Sequence, residues 1–199
     1  MSSYQSLEKR LGFENTLPVT EHWSAAPGFL EVISDYCLKN KPRVIVECSS
    51  GTSSLVLSRC CQMNEVGHVY SLENGEEFVD QTSQQLDSFL LSKYCDVIYS
   101  PLQDLRLGEE MYQWYAINNL PDVEIDMLVI DGPPGFLQKH SRYPAVPMLS
   151  KKMAEHCAIF LDDAARDDEQ ELVERWLNEN PDFQGEYIKN ERGCYILKK

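Results

Sequence analysis

A chain of 199 residues, 43% hydrophobic and 25% charged with only 10 Gly and 10 Pro, has the length for one hydrophobic core and too much apolar content for a disordered or low-complexity protein. Its 18 Lys and Arg against 32 Asp and Glu give a formal charge of −14, a field that repels a phosphate backbone and excludes nucleic acid as the expected partner. The first twenty residues lack the apolar run of a secretory signal, and no stretch is long and apolar enough to predict a membrane span; with seven Cys that show no C-x-x-C spacing, a reduced cytoplasm is the expected location.

Residues 1–22 read as an N-terminal extension and 23–199 as one domain, because no repeat, charge block or Gly/Ser linker marks a further boundary. Residues 26–38 predict a helix, with Lys39, Asn40, Lys41 and Pro42 as its stop. Short apolar runs rich in β-branched residues at 44–48, 68–72, 96–99, 127–130 and 158–161 predict buried strands. Between them, Phe78, Val79, Thr82, Leu86, Phe89 and Leu90 repeat at helical spacing, as do Leu172, Val173, Trp176 and Leu177. Asp168 and Glu171 have capping-box spacing at the head of that last helix, and Pro181 follows its end. Segment 105–119, with Met111, Tyr112, Trp114 and Tyr115, stands where a strand is due and reads as an insertion shaping one wall of a cleft. Runs 183–188 and 193–197 are too close for a crossover helix and predict an antiparallel hairpin at the sheet edge. The fold class is therefore α/β: a Rossmann-like, doubly wound, mostly parallel sheet with helices on both faces.

Candidate chemistry sits at the ends of these strands. The run from Val44 to Ser54 is a strand, a turn of small residues and a helix start, where Ser49, Ser50, Gly51, Thr52 and Ser53 would let a ligand approach free N–H groups; a tight turn needs small residues for packing too. Glu73 ends the next strand, 22 residues after Gly51, where a doubly wound fold places the acid that binds a ribose; the competing view is a solvated Glu beside Glu76 and Glu77. G-x-G-x-x-G is absent, so the spacing suits an adenosine ligand without a second nucleotide. Asp131, in Asp-Gly-Pro-Pro-Gly, and the pair Asp162 and Asp163 also follow strands. These three carboxylates would bind a hard divalent cation or share a proton as a base, unless Asp162 or Asp163 simply caps the turn. His140 lies with Lys139, Arg142 and Tyr143 in a basic, aromatic stretch suited to an anionic or sugar-like substrate or to a solvated loop, and His22-Trp23 suggests core or lid.

The run VECSSGTSS, the acid in YSLEN, the strand with IDGPPG, the stretch RYPAVP and the block FLDDAARDDEQELVERWL resemble the class I S-adenosylmethionine (SAM)-dependent methyltransferases, specifically the small bacterial branch called methyltransferase family 24. The resemblance runs from about Trp23 to the C-terminal ERGCYILKK. It implies a seven-stranded sheet whose last strand is antiparallel, and a methyltransferase of class EC 2.1.1. By position, Glu47, Ser49, Ser50, Gly51 and Thr52, with Ser53 beside them, would line the methionine part of SAM. Glu73, with Asn74 next to it, would take the ribose hydroxyls, and Asp131 would face the sulfonium. The family usually has Gly where this chain has Ser49. The three Asp also resemble the metal site of the related catechol O-methyltransferase group, with Asp163 in place of an Asn, which implies Mg or Ca at Asp131, Asp162 and Asp163.

The expected reaction is O-methylation of a small hydroxylated metabolite or sugar, with Asp131 or Asp162 as base or metal ligand and His140 as a further catalytic candidate. Segments 105–119 and 136–146 would set acceptor specificity. The alternatives are metal-assisted hydrolysis at the three carboxylates and a non-catalytic binding module that keeps the fold. A homodimer is the default assembly.

Overall fold

The protein is described by a computed structural model over residues 3–21 and 23–199. Apolar runs feed a seven-stranded sheet because parallel neighbours can be joined only through crossovers, and the chain supplies a helix or a long connection between most of its strands. In chain order these elements are α1 (Tyr4–Leu11), α2 (Pro27–Asn40), β1 (Val44–Cys48), α3 (Thr52–Asn64), β2 (His68–Glu73), α4 (Glu76–Ser88) and β3 (Cys95–Tyr99). A hairpin of β4 (Leu102–Leu107) and β5 (Glu110–Tyr115) follows, then β6 (Ile125–Ile130), α5 (Ala145–Leu149), β7 (Met153–Leu161), α6 (Asp167–Glu179), β8 (Gln184–Ile188) and β9 (Cys194–Lys198). The sheet order is β3-β2-β1-β6-β7-β9-β8. β9 runs antiparallel between β7 and β8, so the expected hairpin forms with its second strand inside. Gly193 makes that hairpin possible: at φ 75° a Cβ there would lie 2.5 Å from the Ala165 amide nitrogen.

Because side chains alternate along a strand, each central strand serves two cores. Ile45, Met127, Val129 and Phe160 meet Leu7, Phe29, Ile33 and Leu55 on one face. Val46, Leu128, Ile130 and Leu161 meet Trp114, Tyr115, Val173 and Trp176 on the other. Pro27 opens α2 at a position whose N–H has no helical partner, and the αL residue Lys41 ends it just before Pro42. The segment before α2 is tied to the first core through buried Leu7, Leu11 and Leu17, with the Leu17 N–H donating to Glu8 Oε1 at 2.7 Å. Among the described residues no helix is long and apolar enough to cross a membrane.

Two local expectations are revised, and a third, the inserted segment, gains a second role in packing. Segment 105–119 is mostly a separate antiparallel hairpin whose Tyr112, Trp114 and Tyr115 are buried in the second core, so packing explains its aromatics. The capping box at Asp168 and Glu171 does not form. α6 begins at Asp167 with Arg166 as N-cap and no side-chain cap, which leaves Asp167, Asp168 and Glu169 in the first turn, where negative charge suits the helix dipole. Phe89 and Leu90 lie beyond α4, because the chain turns at Leu90 with φ 58°.

Trp176 is fully buried, and its Nε1–H donates to the Tyr143 carbonyl at 3.0 Å. Trp176→Ala should lower unfolding free energy by about 3–5 kcal/mol, read as a drop in the urea midpoint at unchanged m-value.

Candidate functional site

At the carboxyl ends of the parallel strands a cavity of about 1110 Å³ opens. It lies by the switch point, where β2 leaves one side of β1 and β6 packs on the other. Its floor is the turn after β1. Ser49 has φ 102°, a strained conformation for a residue with a Cβ, and is pinned there by its N–H donating to the Leu72 carbonyl at 2.9 Å. Gly51, at φ 141° and ψ −134°, occupies a region open essentially to glycine alone, and an added Cβ would meet nothing within 4 Å. The backbone is therefore bare toward open space.

Glu47 lies beneath this turn, fully buried and outside the cavity lining. Its Oε2 accepts from Ser54 Oγ at 2.5 Å and from Ser71 Oγ, while Ser54 Oγ accepts from the Gly51 N–H at 3.1 Å. Burial pushes the Glu47 carboxyl up to about 7 against the lowering effect of these serine hydrogen bonds. Glu47 thus braces the turn from below. Ser49, Ser50, Gly51, Thr52 and Ser53 all line the cavity, but Thr52 Oγ1 is engaged by the Pro18 carbonyl at 2.9 Å.

Glu73 and Asn74 form the adjoining wall. Glu73 Oε2 accepts from the Ser50 N–H at 3.1 Å and Ser50 Oγ at 2.8 Å, and Oε1 accepts from the Gly75 N–H at 2.9 Å. An ionised carboxylate offers about four acceptor positions, so these three bonds leave one for a ligand.

Asp131, Asp162 and Asp163 converge, each offering an oxygen within 4.8 Å of the others. Asp131 and Asp163 line the cavity; Asp162 is fully buried, and neither of its carboxyl oxygens has a hydrogen-bond partner among the described residues. Arg142 enters this cluster from the loop before α5. Its Nη2 lies 2.8 Å from Asp163 Oδ2 and 3.2 Å from Asp131 Oδ1, and its Nη1 donates to the Asp162 carbonyl at 3.0 Å. Arg166 Nη1 adds a second contact to Asp163 Oδ2 at 2.9 Å. Burial raises the Asp131 carboxyl to about 6, opposed by Arg142 and reinforced by Asp163. Burial, with Asp131 and Asp163 nearby, holds Asp162 well above the ordinary carboxylate range. Burial opposes the charge on Arg142, but Asp131, Asp163 and Glu169 outweigh it and leave its pKa above the usual value.

The 138–143 stretch divides. His140 and Arg142 reach the cavity, whereas Tyr143 is packed in the second core with the Arg175 guanidinium 3.7 Å from its ring centre. His140 sits at the rim with Nε2 2.8 Å from Glu171 Oε2, and Lys139 reaches the same oxygen. His22 lies outside the described residues. Trp23 is 66% exposed and meets Phe136, 77% exposed, edge to face at 6.3 Å across the cavity lining. Phe136, Arg166 and Arg192 were not individually predicted; nothing in their local sequence marks them, because only the fold draws these loops together.

No family model matches the chain, and no curated protein does either. Solved structures do. An O-methyltransferase from Bacillus cereus in complex with SAH is 15% identical, with 98% of this chain and 89% of that one covered at a TM-score of 0.68. The SAH-bound methyltransferase PaMTH1 of Podospora anserina is 14% identical over 99% and 88%, at 0.70. The O-methyltransferase TomG of Streptomyces achromogenes, involved in tomaymycin synthesis and in complex with SAM, is 12% identical over 97% and 86%, at 0.66. At these identities the likeness is one of architecture: the chain has the Rossmann-like fold of SAM-dependent O-methyltransferases across nearly its whole length.

Proposed function

We propose that the protein is a SAM-dependent methyltransferase of class EC 2.1.1 that methylates an oxygen of a small hydroxylated metabolite or sugar. The observation that carries this reading is the meeting of two features on one cavity wall: a turn bared by Gly51 and a Glu73 carboxylate with one acceptor position left. When bound, SAM supplies a methyl group activated by a sulfonium. Ser49, Ser50 and Gly51 would line its methionine end with bared backbone and small side chains, and the N–H groups of Thr52 and Ser53 in the first turn of α3 would face its carboxylate, while Glu73 and Asn74 would hold its ribose. The neighbours of this fold that carry SAM or SAH support that use of the cavity.

Transfer to oxygen needs the acceptor aligned and relieved of a proton. Asp131 faces the cavity and is raised to about 6, so near neutral pH it is ionised yet more basic than an exposed carboxylate. The exposed edges of Trp23 and Phe136 give the acceptor an apolar surface and exclude water. The expected compartment is the cytoplasm, a reading supported by seven cysteines that are all free thiols.

Calorimetry should find both SAM and its homocysteine product binding to the wild-type chain; no heat from either at high protein concentration would remove the proposal. Glu73→Ala should weaken that binding by about 10- to 100-fold, through loss of a charged hydrogen-bond acceptor, whereas a metal-assisted hydrolase would be indifferent to it. With an acceptor in hand, Asp131→Asn should retain SAM binding and lose about 10²- to 10⁴-fold in turnover. The wild-type rate should fall as pH drops below about 6, because a protonated Asp131 cannot take the acceptor's proton.

Glu47 makes a stability prediction. Folded, it holds its proton to about pH 7; unfolded, it releases it in the ordinary carboxylate range. Its contribution is therefore complete at acid pH and is lost as pH rises toward the folded value. Glu47→Gln should stabilise the protein by up to about 3 kcal/mol near pH 8 and by almost nothing near pH 4.5, read as the difference between two thermal-melt series.

A further inference from the structure

We infer that Arg142 is the resident cation of the strand-end carboxylate cluster, its guanidinium filling the place a divalent ion would take between Asp131 and Asp163. A hard cation of the Mg or Ca type needs carboxylate oxygens turned toward one point with lone pairs free. Here Asp163 Oδ2 and Asp131 Oδ1 are both turned toward Arg142 Nη2, at 2.8 and 3.2 Å. An ion seated on those oxygens would abut a side chain that is only 3% exposed and cannot shed its charge. Arg142 Nη1 is held in turn by the Asp162 carbonyl at 3.0 Å and lies 3.7 Å from Glu169 Oε1, so the guanidinium is fixed from two sides. Arg166 Nη1, at 2.9 Å from Asp163 Oδ2, adds a second positive charge to the same oxygen. Asp162, the third prospective ligand, is fully buried and does not line the cavity. Asp131 and Asp163, the two of the three that line the cavity, are thus already paired with a cation that is part of the chain, and this pairing takes the place of a divalent ion; Asp163 Oδ1 and both Asp162 oxygens have no hydrogen-bond partner among the described residues.

This inference concerns the carboxylates and not the adenosine pocket, so it can fail while SAM binding persists, and the reverse. Its test is Mn²⁺ titration of the full chain followed by electron paramagnetic resonance, where protein-bound Mn²⁺ disappears from the free six-line signal. Wild type should leave the free signal undiminished at equimolar metal. Arg142→Gln removes the buried one of the cluster's two positive charges and should bind one Mn²⁺ per chain at least about tenfold more tightly than wild type, since affinity at oxygen sites follows net ligand charge. Two results would overturn the inference: one Mn²⁺ bound per wild-type chain and lost in Asp163→Ala, or a folded Arg142→Gln that gains no metal. Circular dichroism checks that Arg142→Gln has folded; if it has not, the wild-type and Asp163→Ala titrations decide the matter alone.

Discussion

The parallel hydrogen-bond ladder continues one residue beyond four of the five parallel strands, and the crevice is assembled on that continuation. The Ser49 N–H donates to Leu72 at 2.9 Å, Ser100 to Glu73 at 2.7 Å, Asp131 to Cys48 at 3.1 Å and Asp162 to Ile130 at 3.0 Å, each to the neighbouring strand's backbone carbonyl. Each residue that begins a loop is thereby held at a height set by the sheet. Ser49, Asp131 and Asp162 gain the rigidity of a central strand while their side chains are free for other work. The strain at Ser49 persists for the same reason, because the surrounding ladder over-determines it.

A rigid rim of acids has an electrostatic cost. Asp131, Asp162, Asp163 and Glu169 crowd together in a protein that already carries a net charge of −14. Desolvating an unpaired carboxylate is expensive, and the molecule meets this with buried Arg142 and half-exposed Arg166 and by raising the pKa of Asp131, Asp162 and Glu169. Two arginines of an acidic chain thus meet at the place where four carboxylates crowd together. The same arrangement gives Asp131 a guanidinium partner at 3.2 Å and a proton affinity suited to neutral pH.

The two faces of the sheet divide the labour. One carries α1 to α4 and, through Glu47, Ser54 and Ser71, supports the turn under the Gly51 backbone. The other carries the β4–β5 hairpin, α5 and α6, and Tyr115 of the hairpin extends from that core into the cavity wall. Pro18, Thr20 and Trp23, from the segment ahead of α2, complete the wall nearest Thr52.

The strands were legible in the sequence because a β-branched run buried on both faces has no other stable environment, and β1 coincides with the run 44–48. The hairpin of β8 and β9 was legible because four residues cannot hold a crossover. Ser49 to Ser53, Glu73, Asp131 and Asp163 could be named as cavity residues, since a parallel sheet delivers whatever follows its strands to one edge. What a side chain meets on arrival depends on loops far apart in sequence. Glu47, at the end of β1, turns under the turn instead of into the crevice, and the aromatics of 105–119 fill a core before they shape a wall. Arg142 is one basic residue among several in its stretch, and only the path of the loop before α5 carries its charge to Asp131 and Asp163. Strand-end positions follow from backbone periodicity, which is local; the partner of each buried charge follows from three-dimensional proximity, which no local pattern encodes.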